Sequence, residues 1–219
     1  MTADAANAWA ALPEGWRVAF GEAWSSWVAG SAGVGAVVTD ADGGVVSLGR
    51  NRIFDASGAD GAIAGTFMAH AEMNALVSLP LGDYHGYTLM TTFEPCLMCA
   101  GAIRLYRIPK LAYAADDPVW DGLHDLFAQV PAIAWRLATR TRLGGPIGAF
   151  GHVLHLSWLA AHAPPQVTDV HSSSVPHHLA LATRMNESGA LRSLAASNGS
   201  VGDALGLLWP DLTALVDRH

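Results

Sequence analysis

Two short segments hold the residue types that can organise a metal or move a proton: His70-Ala71-Glu72 and, further along, Pro95-Cys96-Leu97-Met98-Cys99. Cys96 and Cys99 are the only cysteines, which excludes a disulfide framework. A Cys-x-x-Cys pair by itself suits a redox dithiol as well as a metal site. The upstream imidazole and carboxylate add a third ligand type and a base. One neutral imidazole and two thiolates give a tetrahedral zinc three ligands and leave a fourth position for water, which distinguishes catalytic from closed structural sites. Glu72, two residues past His70, can turn toward that water at a helix start and shuttle its proton. A closed zinc clip wants a fourth protein ligand, and neither a third cysteine nor a second histidine at partner spacing accompanies the motif. A thioredoxin-like dithiol has no use for His70-Ala71-Glu72.

The elements that must position these residues follow from periodicity. Across 14–28, Trp16, Phe20, Trp24 and Trp27 form one apolar stripe of an amphipathic helix. Segments 33–38 and 45–48 are strand-like around the turn residues Asp40-Ala41-Asp42-Gly43-Gly44, so an antiparallel hairpin is expected. Residues 50–65, with Asp55, Gly58, Asp60, Gly61 and Gly65, read as a loop. A helix over 68–79, ended by Pro80, carries His70 and Glu72. A strand over 86–92, a helix over 96–106 and a short strand over 110–114 follow. Cys96 and Cys99 in a first helical turn point both sulfurs to one side, near a positive helix N-terminus that favours thiolates. This order predicts an α/β sheet with helices on both faces.

After Asp116-Asp117-Pro118 the pattern becomes helical, at 119–130, 132–141 and 147–163, until Ala163-Pro164-Pro165 interrupts it. Residues 168–178, rich in Ser, His and Pro, read as an exposed loop, and helices are expected over 178–196 and 201–216. The chain therefore divides into 1–118, which carries the chemistry, and a helical C-terminal extension, 119–219. His162, His171, His177 and His178 read as surface or loop histidines outside the site, because no carboxylate or cysteine is paired with them.

Composition limits the partners. The 219 residues are 51% hydrophobic and 14% charged, against a usual charged share of about 25%, so the chain has a substantial core. The net charge is −7, from 19 acidic and 12 basic side chains, and Lys110 is the only lysine. No polybasic stripe exists to neutralise phosphates, which disfavours nucleic acid; Asp203, Asp211 and Asp217 near the C-terminus face Arg218 alone. No stretch of about 18 apolar residues runs without charge, Pro or His, as a membrane span would, and the N-terminus lacks the charge pattern of a secretory signal. A cytoplasmic protein without membrane partners is expected.

Residues 68–75 and 94–103 resemble the cytidine and deoxycytidylate deaminase superfamily, and within it the branch of guanine deaminases and tRNA adenosine deaminases. The resemblance covers roughly 33–115, with the N-terminal helix placed where the family has one. It implies a three-layer α/β/α cytidine-deaminase-like fold with a five-stranded mixed sheet, Zn2+ held by His70, Cys96 and Cys99, Glu72 as general acid and base, and a homodimer. It further implies substrate contacts at Ala71 and at Asn51, which follows the hairpin's second strand and whose amide can donate to and accept from a base edge. The other reading of Asn51 is a turn-stabilising residue. Thr66-Phe67-Met68 stand where many relatives carry Asp-Pro. The last hundred or so residues match nothing in the family pattern and are placed to cover the active site. With the charge argument, the expected substrate is a small heterocycle: a free nucleobase, nucleoside or related aminated ring. The alternative is A-to-I deamination of a tRNA adenosine.

Overall fold

The computed structural model describes residues 2–58, 61–136 and 138–217; Asp60 of the expected loop and Arg218 lie outside them. A short helix α1 (Ala3–Ala10) precedes α2 (Glu14–Val28), whose bounds are those the tryptophan stripe gives. Next come β1 (Gly35–Thr39), β2 (Val45–Arg50), α3 (Ala71–Val77), β3 (Thr88–Thr91), α4 (Leu97–Leu105) and β4 (Lys110–Tyr113). A 3-10 turn over Pro118–Trp120 leads to α5 (Leu123–Ala128), α6 (Pro131–Ala134) and β5 (Thr139–Arg142). The chain then runs through α7 (Gly145–His162), α8 (Pro165–Ser174), α9 (Pro176–Ser188), α10 (Ala190–Ala196) and α11 (Val201–Val216).

The sheet is open and mixed, in the order β2-β1-β3-β4-β5. β1 is antiparallel to β2 and β3, while β3, β4 and β5 are parallel. Side chains alternate between two cores, as the period of a strand requires. Val37 and Met90 join the core with α2, α7 and α11; Ala36, Val38, Leu89, Leu111 and Tyr113 join the core with α3 and α4. Both faces are thus covered by helices, the three-layer α/β/α arrangement. Two glycines permit the close packing. A Cβ on Gly49 of β2 would lie 2.4 Å from the Ala75 nitrogen of α3, and one on Gly151 of α7 would lie 2.6 Å from the Thr92 carbonyl.

Three expectations are corrected. Residues 132–141 are not one helix: α6 ends at Ala134 and Thr139–Arg142 forms the fifth strand, pairing Lys110 to Tyr113 with Thr139 to Arg142. This strand is polar and largely solvent-facing, so it offers no apolar alternation to read. Residues 168–178 are not a loop but the end of α8 and the start of α9, with Val175 between them; Pro165 and Pro176 each sit at a first helical position, where a missing N–H costs nothing. The expected helix over 178–196 is likewise two helices, parted at Gly189, whose φ of 67° breaks the α-helix.

Candidate active site

The sequence pattern brings its residues together at two helix starts. His70 and Cys96 are the N-cap residues of α3 and α4, and neither side chain caps its own helix, so both remain available for another partner. Cys99 lies one turn inside α4. His70 Nδ1 is 3.6 Å from Cys96 Sγ and 3.5 Å from Cys99 Sγ, and the three ligand atoms all lie within 4.8 Å of one another. Metal bonds of about 2.0–2.1 Å to nitrogen and about 2.3 Å to sulfur place neighbouring corners of a tetrahedron roughly 3.5 Å apart, so the spacing fits zinc. Among the described residues no other His, Cys, Asp and Glu group has this closeness.

The two thiols are pushed in opposite directions. The hydrogen bond with Cys99 is the main cause that brings the Cys96 thiol down to about 4, with burial opposing and His70 assisting. Cys99 is pushed up by the same bond and by its burial, so the pair shares one proton. Glu72 at the second position of α3 is 3% exposed, and its Oε2 accepts from the Cys99 thiol at 3.5 Å. Burial raises its pKa, the direction that favours the protonated carboxyl.

Asn51 is 4% exposed and performs a structural task that the sequence left open. Its Oδ1 accepts from the Ser31 hydroxyl at 2.6 Å and from the Ile53 N–H at 3.1 Å, and its carbonyl accepts from Ser26 Oγ at 2.8 Å. Asn51 also lines the cavity over the triad, with Nδ2 making no hydrogen bond among the described residues. The Ala71 side chain does not line that cavity; its methyl is fully buried in the α3-side core. Only its backbone N–H, at the first helical position and without an intrahelical acceptor, faces outward from the helix end. Arg50 and Arg52, which flank Asn51, both pair with Asp55.

The cavity, of about 420 Å³, holds His70, Glu72 and Cys96 on its floor. Much of its opposite wall comes from residues the sequence reading did not assign. Asp117 follows β4 at the carboxyl end of the parallel strands, where α/β sheets place ligands. Burial lifts its pKa to about 7, against the lowering by the Val119 N–H. His155 of α7 stacks on Phe93 at 4.3 Å, and burial drives its pKa down to about 3. His152 and His155 are one helical turn apart in a helix without Asp, Glu, Lys or Arg, a signal present in the sequence. His177 is exposed as expected; His162 is exposed too but lines this cavity, and His171 is buried: it is 1% exposed in α8, with Nε2 3.9 Å from Asp117 Oδ1. Glu94, two residues before Cys96, is ion-paired to Arg140 of β5 and accepts the Asp117 N–H at 3.0 Å.

Residues 14–115 match the family model of the cytidine and deoxycytidylate deaminase zinc-binding region. Among curated proteins, the chain is similar to the tRNA(Ile)-lysidine synthase of Deinococcus radiodurans, 40% identical over 102 residues, which are 43% of this chain and 16% of that protein. It is also similar to the tRNA-specific adenosine deaminase of Streptococcus pyogenes serotype M1, 33% identical over 98 residues, 43% of this chain and 52% of that one. The match thus spans about half or less of either relative. Among solved structures, a mutant of NE0047 in complex with 8-azaguanine shares the fold at 22% identity and a TM-score of 0.51, over 69% of this chain and 87% of that one.

Among the described residues no helix is long and apolar enough to cross a membrane.

Proposed function

We propose that the chain is a zinc-dependent hydrolytic deaminase of a small aminated heterocycle. The observation that carries this reading is the clustering of His70, Cys96 and Cys99 at tetrahedral spacing, with the buried Glu72 carboxylate beside them on the floor of one cavity. His70 Nδ1 and the two sulfurs would hold the metal, whose contribution when bound is to make water a competent nucleophile near neutral pH.

The remaining steps belong to the chain. Glu72 takes one proton from the attacking water and gives it to the ring nitrogen, then takes the remaining proton from the added hydroxyl and gives it to the departing amine, so that an amino carbon and water become a carbonyl and ammonia. Asn51 donates from Nδ2 to an acceptor on the ring, because its Oδ1 is already engaged. The Ala71 N–H is a second donor beside Glu72. Residues 1–118 supply this machinery and 119–219 supply β5 and the helices that wall the cavity. The reading includes a cytoplasmic homodimer, which light scattering tests for assembly.

Deamination of a tRNA adenosine is the second reading, favoured by the similarity to tRNA-specific adenosine deaminases. The charge of −7 weighs against it. Ammonia release from guanine, adenine, cytosine and their nucleosides, run beside inosine formation in tRNA, decides: inosine in tRNA with every small compound inert would replace the first reading by the second.

A further inference from the structure

Resting on the deaminase reading, we infer that the substrate is an uncharged aminated heterocycle carrying an apolar substituent, which lies against an aromatic rim formed partly by the C-terminal extension. Three observations lead there.

The first is charge. Among the described residues no lysine or arginine lines the cavity, whereas Glu72, Glu94 and Asp117 do. A phosphate on the substrate would meet these carboxylates without a lysine or arginine to pair with, which disfavours it. His155 does not supply the missing charge, since burial keeps its imidazole neutral.

The second is the rim. Phe54, Phe67, Trp120 and Trp158 line the same cavity. Phe67 is 83% exposed and Phe54 is 56% exposed, although Phe54 also stacks on Trp158 at 5.1 Å. Aromatic rings left in water beside a catalytic floor are the mark of a surface that is covered when ligand binds. Trp120 and Trp158 lie outside the 14–115 match, so this part of the rim comes from beyond the matched region.

The third is space. A cavity of about 420 Å³ falls within the roughly 300–1,000 Å³ that takes ligands of drug size. A bare base held at Asn51 and Glu72 leaves the aromatic end unfilled. Because that end is continuous with the floor, the occupant that explains it is part of the substrate rather than a separate partner.

The test uses the zinc-loaded full chain and measures ammonia release from guanine, adenine and cytosine. Each is offered as the bare base, as its 5′-monophosphate, and with a benzyl group on the ring nitrogen that bears sugar in nucleosides. For the ring that is turned over, the benzyl derivative should exceed the bare base in kcat/KM by roughly tenfold or more, mainly through KM, and the monophosphate should fall at least about tenfold below the bare base. Phe67→Ala, at an exposed position, should bring the benzyl-to-bare ratio toward one. A bare base or monophosphate used as well as the benzyl compound overturns the inference while leaving the deaminase reading intact. So does a Phe67→Ala protein that keeps the ratio, or one whose oligomeric state changes, which would show a second copy covering the rim. Failure of every compound, with and without substituent, instead removes the deaminase reading for small molecules and this inference with it.

Discussion

The side-chain oxygen of Asn51 accepts a hydrogen bond from the backbone N–H of Ile53 at 3.1 Å. A backbone N–H can only donate, so this contact fixes the orientation of the amide and leaves its two N–H groups as what Asn51 can offer a ligand. The turn-stabilising and substrate-binding readings of Asn51 are therefore compatible, one for each end of the same amide.

Two substitutions separate those ends. Asn51→Ala abandons both the Ser31 hydroxyl and the Ile53 N–H, at about 1–3 kcal/mol for a buried group left unpaired, and Tm should fall by roughly 2–4 °C for each kcal/mol. Asn51→Asp keeps an acceptor for both donors and loses the amide N–H. It should retain more stability than the alanine variant, yet lose a similar ten- to hundredfold in kcat/KM. Thermal unfolding beside steady-state kinetics reads both, and an aspartate variant with full kcat/KM excludes Asn51 as the donor to substrate.

Zinc content and turnover should come apart at Glu72. Elemental analysis is expected to find about one zinc per chain, lost on Cys96→Ser, because three ligands converge and removal of one breaks the tetrahedral set. Glu72→Ala should keep the metal while turnover falls by about 10²–10⁴, the range of a general acid-base group. Loss of zinc from the Glu72 variant to the same degree as from Cys96→Ser would make Glu72 a ligand and end the proton-shuttle mechanism.

The parts of the site that were legible in the sequence are those whose chemistry is local. His70 and Glu72 share one helix start and Cys96 and Cys99 another, so spacing alone reveals them. Asp117 reads as a turn residue in Asp116-Asp117-Pro118; only the parallel pairing of β3 with β4 shows that it emerges beside Cys96. β5 was hidden because an exposed edge strand of threonine and arginine carries no hydrophobic period. His155 escaped for the converse reason: α7 is apolar over most of its surface, so periodicity does not say which of its faces meets the cavity.

That hidden strand has a consequence for the metal. Arg140 on β5 pairs with Glu94, whose carboxylate also receives the Asp117 N–H, so Arg140 is a positioning residue for the loop that leads into Cys96. Arg140→Ala should lower zinc affinity or turnover by about 10–100-fold, the usual effect of removing a partner from behind the ligands. Arg140→Lys should recover part of the loss, since it restores the charge without the guanidinium geometry. Chelator competition measures the affinity, and unchanged zinc retention together with unchanged turnover in the alanine variant would sever β5 from the site.

The last prediction concerns acid stability and rests on His152, which is 5% exposed with Nε2 unbonded among the described residues. Burial, followed by His178, His155, His171 and Arg142, pushes its pKa well below the usual 6.5. The rings around it, His178 at 4.9 Å, Phe93 at 5.2 Å and His171 at 6.1 Å, give no carboxylate in direct contact that would offset this. The folded protein thus keeps His152 neutral while the unfolded chain takes up a proton below about pH 6.5. Its contribution is complete above that pH and is lost as the pH falls, at up to about 1.4 kcal/mol per unit. Asp117 acts in the opposite sense: with its pKa raised to about 7, the folded state holds a proton that the unfolded state releases above about 4, so its contribution falls as pH rises. Comparing His152→Phe with the parent chain cancels the Asp117 effect, which both proteins share. Denaturant unfolding at pH 7.5 and 5.5 should show the variant losing about 1 kcal/mol less than the parent on acidification, and equal losses in the two proteins would remove His152 as an acid-sensitive group.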